Sequence, residues 1–407
     1  MKCRFCENEL KNVFLDLVNS PPSNSLLTKE QLNEFEVFYP LKTFVCNNCF
    51  LVQNDEYVKP ENIFNNNYSY FSSFSTTWLE HCKKYCDMVV EKFKLNKDSF
   101  IVEIASNDGH LLKFFKNRGI EVLGIEPSGN VAEVALKNGI NTIIDFFNTD
   151  FLKKNKIKKA DLIIANNVLA HVPNVNDFII ALEYLLKEEG LITIEFPHLL
   201  KLIKFNQFDT IYHEHYSYFS LFTVKNMFED KGLEIFDVQE IKVHGGSLRI
   251  FVKKKENKYF KVSKNVKNLL DHEIKNRIND INYYLNFQDK IVDIKNKFLN
   301  FLIQEKLKGE KIVAYGAAAK GNTLLNYCGV KKDLIEFVVD ASPYKQGKYL
   351  PGSHIPVVVE DEIRKFKPDY VIILPWNIKD EIMTQLSYID EWGGKFVIAI
   401  PELEVLS

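Results

Sequence analysis

The sequence predicts an α/β protein in which a small cysteine-rich module precedes two doubly wound, Rossmann-like α/β units joined by helices. Three observations predict this class: the cysteine pairs, a first strand–helix alternation and a second one. Four of the seven cysteines form two Cys-x-x-Cys pairs near the start, and short apolar strands alternate with helical patterns in two separate stretches. A length of 407 residues allows two or three domains. The net charge of −2 gives no reason to expect nucleic-acid binding.

The two cysteine pairs, Cys3/Cys6 and Cys46/Cys49, predict a structural zinc site. Each pair can direct two thiolates at one point, and four thiolates complete a tetrahedral Zn²⁺ shell. A redox pair would need only one Cys-x-x-Cys, and a catalytic zinc usually keeps an open position with three protein ligands. We therefore expect residues 1–60 to be a loop-rich zinc module, in which the metal replaces a core that is too small.

The first strand–helix alternation predicts a parallel sheet in residues 61–260. An apolar helical period at 77–95 precedes it. The predicted strands are Phe100–Ala105, Val122–Ile125, Thr142–Ile144, Leu162–Ala165 and Leu191–Glu195, with helices near 110–118, 129–138 and 177–187. Then follow a helix near 199–206, a loop at 207–220, a helix near 222–231, and two strands near 233–241 and 247–253 that form an antiparallel edge.

The second alternation predicts another α/β unit at 309–407, joined to the first by one or two long helices at 261–308. Its predicted strands are Ile312–Tyr315, Ile335–Val339, Tyr370–Leu374 and Phe396–Ile400. Its predicted helices lie near 319–328, 360–366 and 378–387. The chain begins without a signal peptide and has no apolar run of membrane-span length, so we expect a cytoplasmic protein without membrane contact.

Three segments at predicted strand ends suit a nucleoside cofactor, because ligands of open α/β sheets bind at the carboxyl ends of the strands. Glu126 lies 23 residues after Glu103, where an acidic side chain suits a ribose diol. Ala105 and Asn107 stand where a dinucleotide motif has glycines, which favours S-adenosylmethionine (SAM) over NAD. Each segment alone is also compatible with an ordinary strand end. The predicted cofactor-binding residues are Glu103, Ala105, Asn107, Asp108, Gly109, Glu126, Pro127, Asn166 and Asn167.

The segment Tyr212-His-Glu-His215 concentrates acid–base groups just beyond the last parallel strand. A histidine titrates near neutrality and suits a general base, and a neighbouring carboxylate can orient it. Two alternatives stay open. In the first, the segment is only a polar loop at the surface. In the second, His213 and His215 bind a second metal, although the sequence offers no obvious third ligand.

Three further motifs suit a phosphorylated substrate. Gly245-Gly246 fits a tight hairpin, with Arg249 available to a phosphate. The turn Ala314–Thr323 has P-loop glycine spacing, but Asn322 replaces the lysine, which excludes a nucleoside triphosphatase. Backbone N–H groups of this turn can still bind an anion. The polar loop Asp340–Pro356 follows the next strand and is expected at the same crevice.

With these motifs the chain resembles the SAM-dependent sugar C-methyltransferases, which act on nucleotide-linked ketosugars. The resemblance covers nearly the whole chain, and its most specific parts are Asp-Thr-Ile-Tyr-His-Glu-His-Tyr-Ser-Tyr, His-Gly-Gly-Ser-Leu-Arg and Ala-Lys-Gly-Asn-Thr-Leu-Leu-Asn-Tyr. It implies a zinc module, a class I methyltransferase domain and a C-terminal domain that helps to hold the nucleotide sugar. It also implies a place in deoxysugar and cell-surface polysaccharide biosynthesis, and a monomer or weak oligomer.

The resemblance also implies roles for particular residues. His215 would remove a proton next to the ketone, Glu214 would align its ring, and Tyr212 or His171 would stabilise the enolate that attacks the SAM methyl group. A tyrosine after the zinc module, Tyr68 or Tyr70, would join them. The predicted substrate contacts are His198, His213, His244, Arg249, Gly316, Lys320, Asn322 and Lys345. O- or N-methylation of a sugar, and a catalytically silent nucleotide-sugar-binding protein, are the alternatives.

Overall fold

The computed structural model describes residues 1–66, 68, 71–74 and 76–406. In the zinc module, β1 (Asn12–Ser20), β2 (Tyr39–Val45) and β3 (Val52–Asn54) form an antiparallel sheet. A short 3₁₀ turn lies at Gln31–Asn33. The module is therefore less loop-rich than predicted. Two register shifts in the pairing of β1 with β2 interrupt the alternation of apolar and polar residues that marks a strand in sequence.

The central unit contains the first predicted strand–helix alternation. Its helices are α1 (Pro60–Ile63), α2 (Thr76–Phe93), α3 (Leu112–Lys116), α4 (Gly129–Lys137), α5 (Thr149–Lys154), α6 (Val175–Leu185), α7 (Leu199–Lys204) and α8 (Leu221–Asp230). Its strands are β4 (Phe100–Ile104), β5 (Glu121–Ile125), β6 (Thr142–Ile143), β7 (Ala160–Asn166), β8 (Leu186–Pro197), β9 (Ser217–Tyr218), β10 (Leu233–Ile241) and β11 (Ser247–Lys254). Further 3₁₀ turns lie at Ser72–Phe74, Leu169–His171, Phe208–Thr210 and Val243–Gly245.

Seven of these strands form one sheet in the order β10-β11-β8-β7-β4-β5-β6. Strand β11 runs antiparallel to both of its neighbours, and the other strands are parallel to one another. The strand order reverses between β4 and β7, which creates a crevice at their carboxyl ends. This is the sheet order and direction of a class I methyltransferase fold, as the sequence predicted. The predicted hairpin turn between β10 and β11 is a five-residue loop, residues 242–246.

The helical bridge consists of three helices, α9 (Lys264–Lys275), α10 (Ile281–Leu285) and α11 (Phe287–Leu307). The long helix α11 buries apolar side chains at a spacing of three or four residues, which places them on one face. That face packs on the zinc module, where the rings of Phe14 and Phe287 stack at 4.9 Å. The bridge is therefore part of a shared core.

The C-terminal unit repeats the doubly wound plan on a smaller scale. Its elements are β12 (Ile312–Tyr315), α12 (Ala319–Cys328), β13 (Val338–Val339), β14 (Val357–Val358), α13 (Asp361–Phe366), β15 (Tyr370–Ile373), α14 (Lys379–Gln385), β16 (Lys395–Ile398) and β17 (Glu404–Leu406), with 3₁₀ turns at Trp376–Ile378 and Ser387–Trp392. The sheet order is β14-β13-β12-β15-β16-β17, and the last strand is antiparallel. The order reverses between β12 and β15, beside α12.

The zinc module is packed against both larger units. It adds a fourth strand to its own sheet by pairing β3 with β9, which belongs to the central unit. One apolar cluster joins β1 to the helical bridge and to α12, and another joins the cysteines to the core of the seven-stranded sheet. Within the residues that the structure describes, no helix has both the length and the apolar character needed to span a membrane.

Candidate active site

A cavity of about 670 Å³ lies where the carboxyl edge of the seven-stranded sheet faces the start of α12. All three units contribute to its walls: the zinc module supplies Asn24, and the C-terminal unit supplies residues from α12 and the loop after β13. A crevice at the reversal point of a parallel sheet is the usual ligand site of this architecture. Predicted site residues on its walls are Tyr68, Glu103, Ala105, Asn107, Glu126, Pro127, Asn166, Asn167, His171, Tyr212, Glu214, His215, His244, Lys320 and Lys345.

Three residues of the turn after β4 adopt positive φ angles, which favour glycine, although only one of the three is a glycine. The φ angles of Ala105, Asn107 and Gly109 are +56°, +51° and +76°. A left-handed conformation costs a residue with a Cβ atom about 1–2 kcal/mol, and asparagine tolerates it better than most residues. A strained turn at the end of a buried strand is typical of a site where backbone approaches a ligand closely.

Two carboxylates lie beside this turn, Glu103 at β4 and Glu126 just after β5. Glu126 accepts hydrogen bonds from the backbone N–H groups of Asn107, at 3.0 Å, and Ser128, at 2.9 Å. Burial raises the pKa of Glu126, and it raises that of Glu103 further. Within the described residues, Glu103 Oε2 is buried without a hydrogen-bond partner. Acceptors of this kind fit SAM, whose ammonium group and ribose hydroxyls are hydrogen-bond donors.

The two remaining predicted cofactor residues, Asp108 and Gly109, do not line the cavity. Asp108 accepts a hydrogen bond from the backbone N–H of Ser73 and contacts His110 Nδ1 at 3.0 Å, so it fastens the 72–73 segment to the turn. A Cβ atom on Gly109 would come within 2.9 Å of Ile140 Cγ1, so this glycine is needed for packing as well as for its positive φ.

Sequence reasoning missed part of the cavity wall. Asp145, Phe146 and Phe147 follow β6 and line the cavity. The rule that identified Glu126, a polar residue directly after a parallel strand, applies equally to Asp145. Trp78 also lines the cavity and donates a hydrogen bond from Nε1 to His110 Nε2 at 2.9 Å. Its place in an apolar helical period indicated a core residue, so no sequence signal distinguished it.

Both ring nitrogens of His215 are held by hydrogen bonds. Nδ1 lies 2.9 Å from the backbone oxygen of Thr210, and Nε2 lies 2.9 Å from the hydroxyl of Tyr212. A carbonyl can only accept, so Nδ1 carries the proton and Nε2 keeps a lone pair. Burial lowers the pKa of His215 well below 6.5, with a smaller contribution from the nearby ring of His171. The imidazole is therefore neutral at neutral pH and presents a basic nitrogen beside the Tyr212 hydroxyl.

His171 lies against His215, with 4.7 Å between the ring centroids. Its Nδ1 donates to the backbone oxygen of Glu214 at 2.8 Å, and burial lowers its pKa to about 4. The neutral ring therefore has an unprotonated Nε2, which accepts hydrogen bonds but cannot donate one. Of the two residues predicted to stabilise an enolate, Tyr212 has a hydroxyl proton, which in this arrangement it donates to His215 Nε2.

The structure corrects the predicted role of Glu214. This carboxylate was expected to align the ring of His215, but that ring is held by Thr210 and Tyr212. Glu214 Oε1 instead accepts a hydrogen bond from Asn24 Nδ2 at 2.7 Å. Burial raises the pKa of Glu214 to about 7, and the bond from Asn24 opposes that rise. Thr210 acts through a backbone carbonyl, so its side-chain identity gave no signal.

Tyr68 and His244 also line the cavity. Tyr68 lines it, with its ring centroid 5.3 Å from that of Phe64. Tyr70, the other candidate tyrosine, lies outside the described residues. His244 reaches the cavity from the loop between β10 and β11, where its Nε2 is 3.4 Å from Asn167 Nδ2. Burial lowers the pKa of His244 to about 4.

The C-terminal unit brings two lysines to the cavity. Lys320, at the start of α12, donates to Asn377 Oδ1 at 2.6 Å and lies 5.0 Å from the ring centroid of Trp376. Burial lowers its pKa. Lys345 forms an ion pair with Asp340 at 3.2 Å. Lys320 thus places a cation at the start of a helix, the end of a helix that suits negative charge.

Five predicted substrate residues do not line the cavity: His198, His213, Arg249, Gly316 and Asn322. His198 is 1% exposed and bonds through Nε2 to Glu273 Oε1 at 2.6 Å. Glu273 also accepts hydrogen bonds from the first two N–H groups of α8. Arg249 is buried in an ion pair with Glu195. His198 and Arg249 can be buried away from the cavity because each is paired with a buried carboxylate.

The other three residues have different structural roles. The ring of His213 bonds to the backbone oxygen of Pro40 at 3.2 Å, so His213 and His215 are held by separate partners, which disfavours a second metal site. A Cβ atom on Gly316 would come within 2.4 Å of Pro375, so this glycine permits close packing of two turns. Asn322 is buried on α12.

The four cysteines of the zinc module form a closed metal site. Their sulfurs all lie within 4.8 Å of one another, and the contacts between Cys3 and Cys49 and between Cys6 and Cys46 are both 3.5 Å. Sulfurs at the corners of a ZnS₄ tetrahedron lie about 3.8 Å apart. Gln53 donates an N–H···S bond to Cys3 at 3.2 Å, a contact that orients the ligand.

Comparisons with known proteins match this architecture along the whole chain. Three family models match: a zinc binding domain at residues 3–64, a methyltransferase domain at 78–238, and a C-methyltransferase C-terminal domain at 242–401. The C-methyltransferase NovU of Streptomyces niveus is 33% identical over 411 residues, which cover 100% of this chain and 97% of the relative.

Solved structures give weaker likenesses. A SAM-dependent methyltransferase from Clostridium acetobutylicum is 13% identical, covers 42% of this chain and 91% of that chain, and has a TM-score of 0.34. The magnesium protoporphyrin IX methyltransferase of Synechocystis with bound SAH is 14% identical, covers 43% and 83%, and has a TM-score of 0.36. Both scores are below 0.5, so neither likeness supports an inference about this chain.

The full-length match to NovU and the three family models show the activity class and the cofactor. The protein is a SAM-dependent methyltransferase with a four-cysteine zinc-binding site at its N-terminus. The chain thus belongs to the family of C-methyltransferases that combine a zinc binding domain, a methyltransferase domain and a C-methyltransferase C-terminal domain.

Proposed function

We propose that the protein transfers the methyl group of SAM to a carbon atom next to the ketone of a nucleotide-linked sugar. The single observation that carries this proposal is the neutral His215, whose Nε2 is basic and lies 2.9 Å from the Tyr212 hydroxyl on the cavity wall. A carbon acid needs a base and a nearby hydrogen-bond donor for the oxygen that gains charge. The cavity offers both between a SAM-binding turn and two lysines.

The cofactor would lie along the carboxyl edge of the seven-stranded sheet. Glu126 would bind the ribose hydroxyls, and Glu103 would accept a hydrogen bond from the ammonium group. Asp145 and Phe146 line the same wall beyond β6, where an aromatic ring suits the adenine. When bound, SAM supplies a methyl group on a positively charged sulfur, which is open to attack by a carbanion.

His215 would begin the reaction by removing a proton from the carbon next to the ketone. The electron pair of that C–H bond moves to form an enolate, whose negative charge lies mainly on oxygen. In the resting site Tyr212 donates its hydrogen bond to His215 Nε2; once Nε2 takes the substrate proton, the hydroxyl would turn and donate to this oxygen. The enolate carbon would be the nucleophile for the methyl group that SAM supplies, and the electrons of the carbon–sulfur bond would leave with the sulfur. Holding the two reactants in line would supply much of the remaining rate gain.

The nucleotide would lie towards the C-terminal unit. Lys320 and Lys345 bring positive charge to that wall, and the ten-residue helix α12 begins there. A diphosphate at a helix N-terminus gains from the free N–H groups as well as from the lysines. Since Lys345 is already paired with Asp340, it is mainly Lys320 that favours a nucleotide-linked sugar over a free sugar.

The test is a panel of nucleotide-linked 4-ketosugars with SAM that carries ¹³C in its methyl group. Carbon NMR of the product decides the site of transfer, because a C-methyl carbon resonates far upfield of an O- or N-methyl carbon. A labelled C-methyl signal from at least one 4-ketosugar is the expected result. Label on oxygen or nitrogen would overturn the enolate mechanism, and no transfer to any member would overturn the substrate class.

A further inference from the structure

A short segment of the zinc module, residues 20–28, lies between the two larger units. Ser23 Oγ contacts Thr323 Oγ1 on α12 at 3.4 Å. Leu27 pairs with Tyr349 of the C-terminal unit through two backbone hydrogen bonds of 2.9 Å. Asn24 lies between these two anchors and reaches the cavity. The position of its side chain is therefore set by the docking of the zinc module.

Asn24 and Glu214 meet at the boundary between two cavities. The amide Nδ2 of Asn24 lies 2.7 Å from Glu214 Oε1, although 190 positions separate them in the chain. Both residues line the cavity of about 670 Å³ described above, here called the reaction cavity. Both also line a neighbouring cavity of about 700 Å³ between the zinc module and the C-terminal unit. Glu214 is only 3% exposed, so its carboxylate depends on protein groups for hydrogen bonds.

We propose that Asn24 is a positioning residue for methyl transfer, which acts by holding the Glu214 carboxylate towards the sugar. The zinc module would thereby take part in the sugar half of the reaction. This inference rests on the proposed function, because it needs a sugar in the reaction cavity for Glu214 to contact. The carboxylate would accept a hydrogen bond from a hydroxyl or amino group of that sugar.

The argument for positioning is the cost of losing the donor. A buried carboxylate without its hydrogen-bond donor either turns towards another donor or takes up a proton. Either change removes the acceptor that the sugar would meet. The SAM-binding carboxylates, Glu103 and Glu126, belong to the seven-stranded sheet and make no use of Asn24 in their hydrogen bonds. Loss of Asn24 should therefore affect the sugar and leave SAM binding unchanged.

The experiment is a double-mutant cycle with Asn24→Ala, Glu214→Met and the double variant, in the full-length protein with zinc, because methionine has a similar length and no oxygen acceptor. The sugar probe is the nucleotide-linked 4-ketosugar that the wild-type protein methylates fastest. Steady-state kinetics give kcat and the KM for that sugar, and calorimetry gives the Kd for SAM. The matched control is Asn62→Ala, since Asn62 lines only the neighbouring cavity. Zinc content and melting temperature check folding, and the isosteric Asn24→Asp replaces Asn24→Ala where the latter unfolds.

We expect Asn24→Ala to lower kcat/KM for the sugar about tenfold or more, with the Kd for SAM within twofold. In the Glu214→Met background, the same change should have little further effect, because Asn24 then has no oxygen acceptor to hold at that position. Equal losses in both backgrounds would show that Asn24 acts independently of Glu214 and would overturn the inference. A normal Glu214→Met would instead count against a sugar contact by Glu214, and absence of wild-type C-methylation would count against the proposed function.

Discussion

The side-chain amide of Asn54 donates a hydrogen bond to the backbone oxygen of His215, at 2.9 Å. Asn54 is the last residue of β3, and its amide also lies 3.2 Å from the backbone oxygen of Tyr212. The same strand pairs with β9, two residues beyond His215. The segment that carries the proposed base is therefore held by the sheet of the zinc module, and not by the central unit alone.

Zinc removal should consequently abolish methyl transfer before it abolishes SAM binding. Without the metal, residues 3–49 lose the cross-link that holds β2 and β3 in place, and the hydrogen bonds from Asn54 are lost with them. The carboxylates proposed to bind SAM, Glu103 and Glu126, belong to the seven-stranded sheet, and one face of that sheet packs in an apolar cluster that, among the described residues, contains none of the zinc module. A chelator titration, followed by zinc analysis, calorimetry with SAM and activity, tests this. Equal loss of SAM binding and activity would mean that the metal only keeps the whole protein folded.

Replacing His215 by Asn should lower methyl transfer by about 10²–10⁴-fold, the usual contribution of a general base. Exchange of the substrate proton for deuterium from solvent should fall in parallel, because both processes need the same C–H bond to break. The matched control is His213→Asn, since the His213 ring bonds to Pro40 outside the cavity. Near-normal rates of both exchange and transfer in His215→Asn would exclude His215 as the base.

Glu214 should give the protein a measurable dependence of stability on pH. Its pKa is raised from 4.5 to about 7, mainly by burial, so the folded protein holds this proton more tightly than the unfolded chain does. Its contribution to stability therefore falls as pH rises from about 4.5 to about 7. Glu214→Gln removes that loss, so its melting temperature relative to wild type should increase between pH 5 and pH 8. A difference that stays constant across this range would contradict the raised pKa.

The sequence predicted the parts of the fold that depend on local pattern. Continuous apolar runs identified most of the parallel strands, since such strands are buried on both faces. The carboxyl ends of those strands then located Glu126 and Asn167, and the spacing of the cysteines located the metal site. The strands and the metal site were confirmed because each follows from residues close together in the chain, and Glu126 and Asn167 line the cavity, where their cofactor role stays a prediction.

The remaining features depend on contacts between distant parts of the chain. Register shifts hid the strands of the zinc module, as in β1. His198 and Arg249 carry the chemistry of ligand contacts, but each meets a buried carboxylate, Glu273 or Glu195, which only the folded structure reveals. Thr210 orients His215 through its backbone oxygen, an interaction that every residue type can make. Side-chain chemistry alone therefore could not separate structural from functional polar residues.

Lys320 should matter for the sugar nucleotide and not for SAM. Its ammonium group is buried beside Asn377 and the ring of Trp376, so it is held in one position at the start of α12. Lys320→Met should raise the KM for the nucleotide sugar about tenfold or more, because a fixed cation near a phosphate gains more than a mobile one. Calorimetry should give an unchanged Kd for SAM. An unchanged KM would place the diphosphate elsewhere.

Ala105 offers a test of the strained cofactor turn, because its φ of +56° penalises any residue with a Cβ atom. Ala105→Gly relieves that penalty and should raise stability by up to about 1 kcal/mol, with SAM affinity retained. Ala105→Val should lose SAM binding, since a β-branched residue resists positive φ. The control is Ala165→Gly in β7, where an extended backbone needs no glycine and the change should destabilise. Thermal melts with and without SAM would show whether Ala105→Gly raises the melting temperature while Ala165→Gly lowers it. If both glycine variants were destabilised equally, the left-handed conformation of Ala105 would carry no strain.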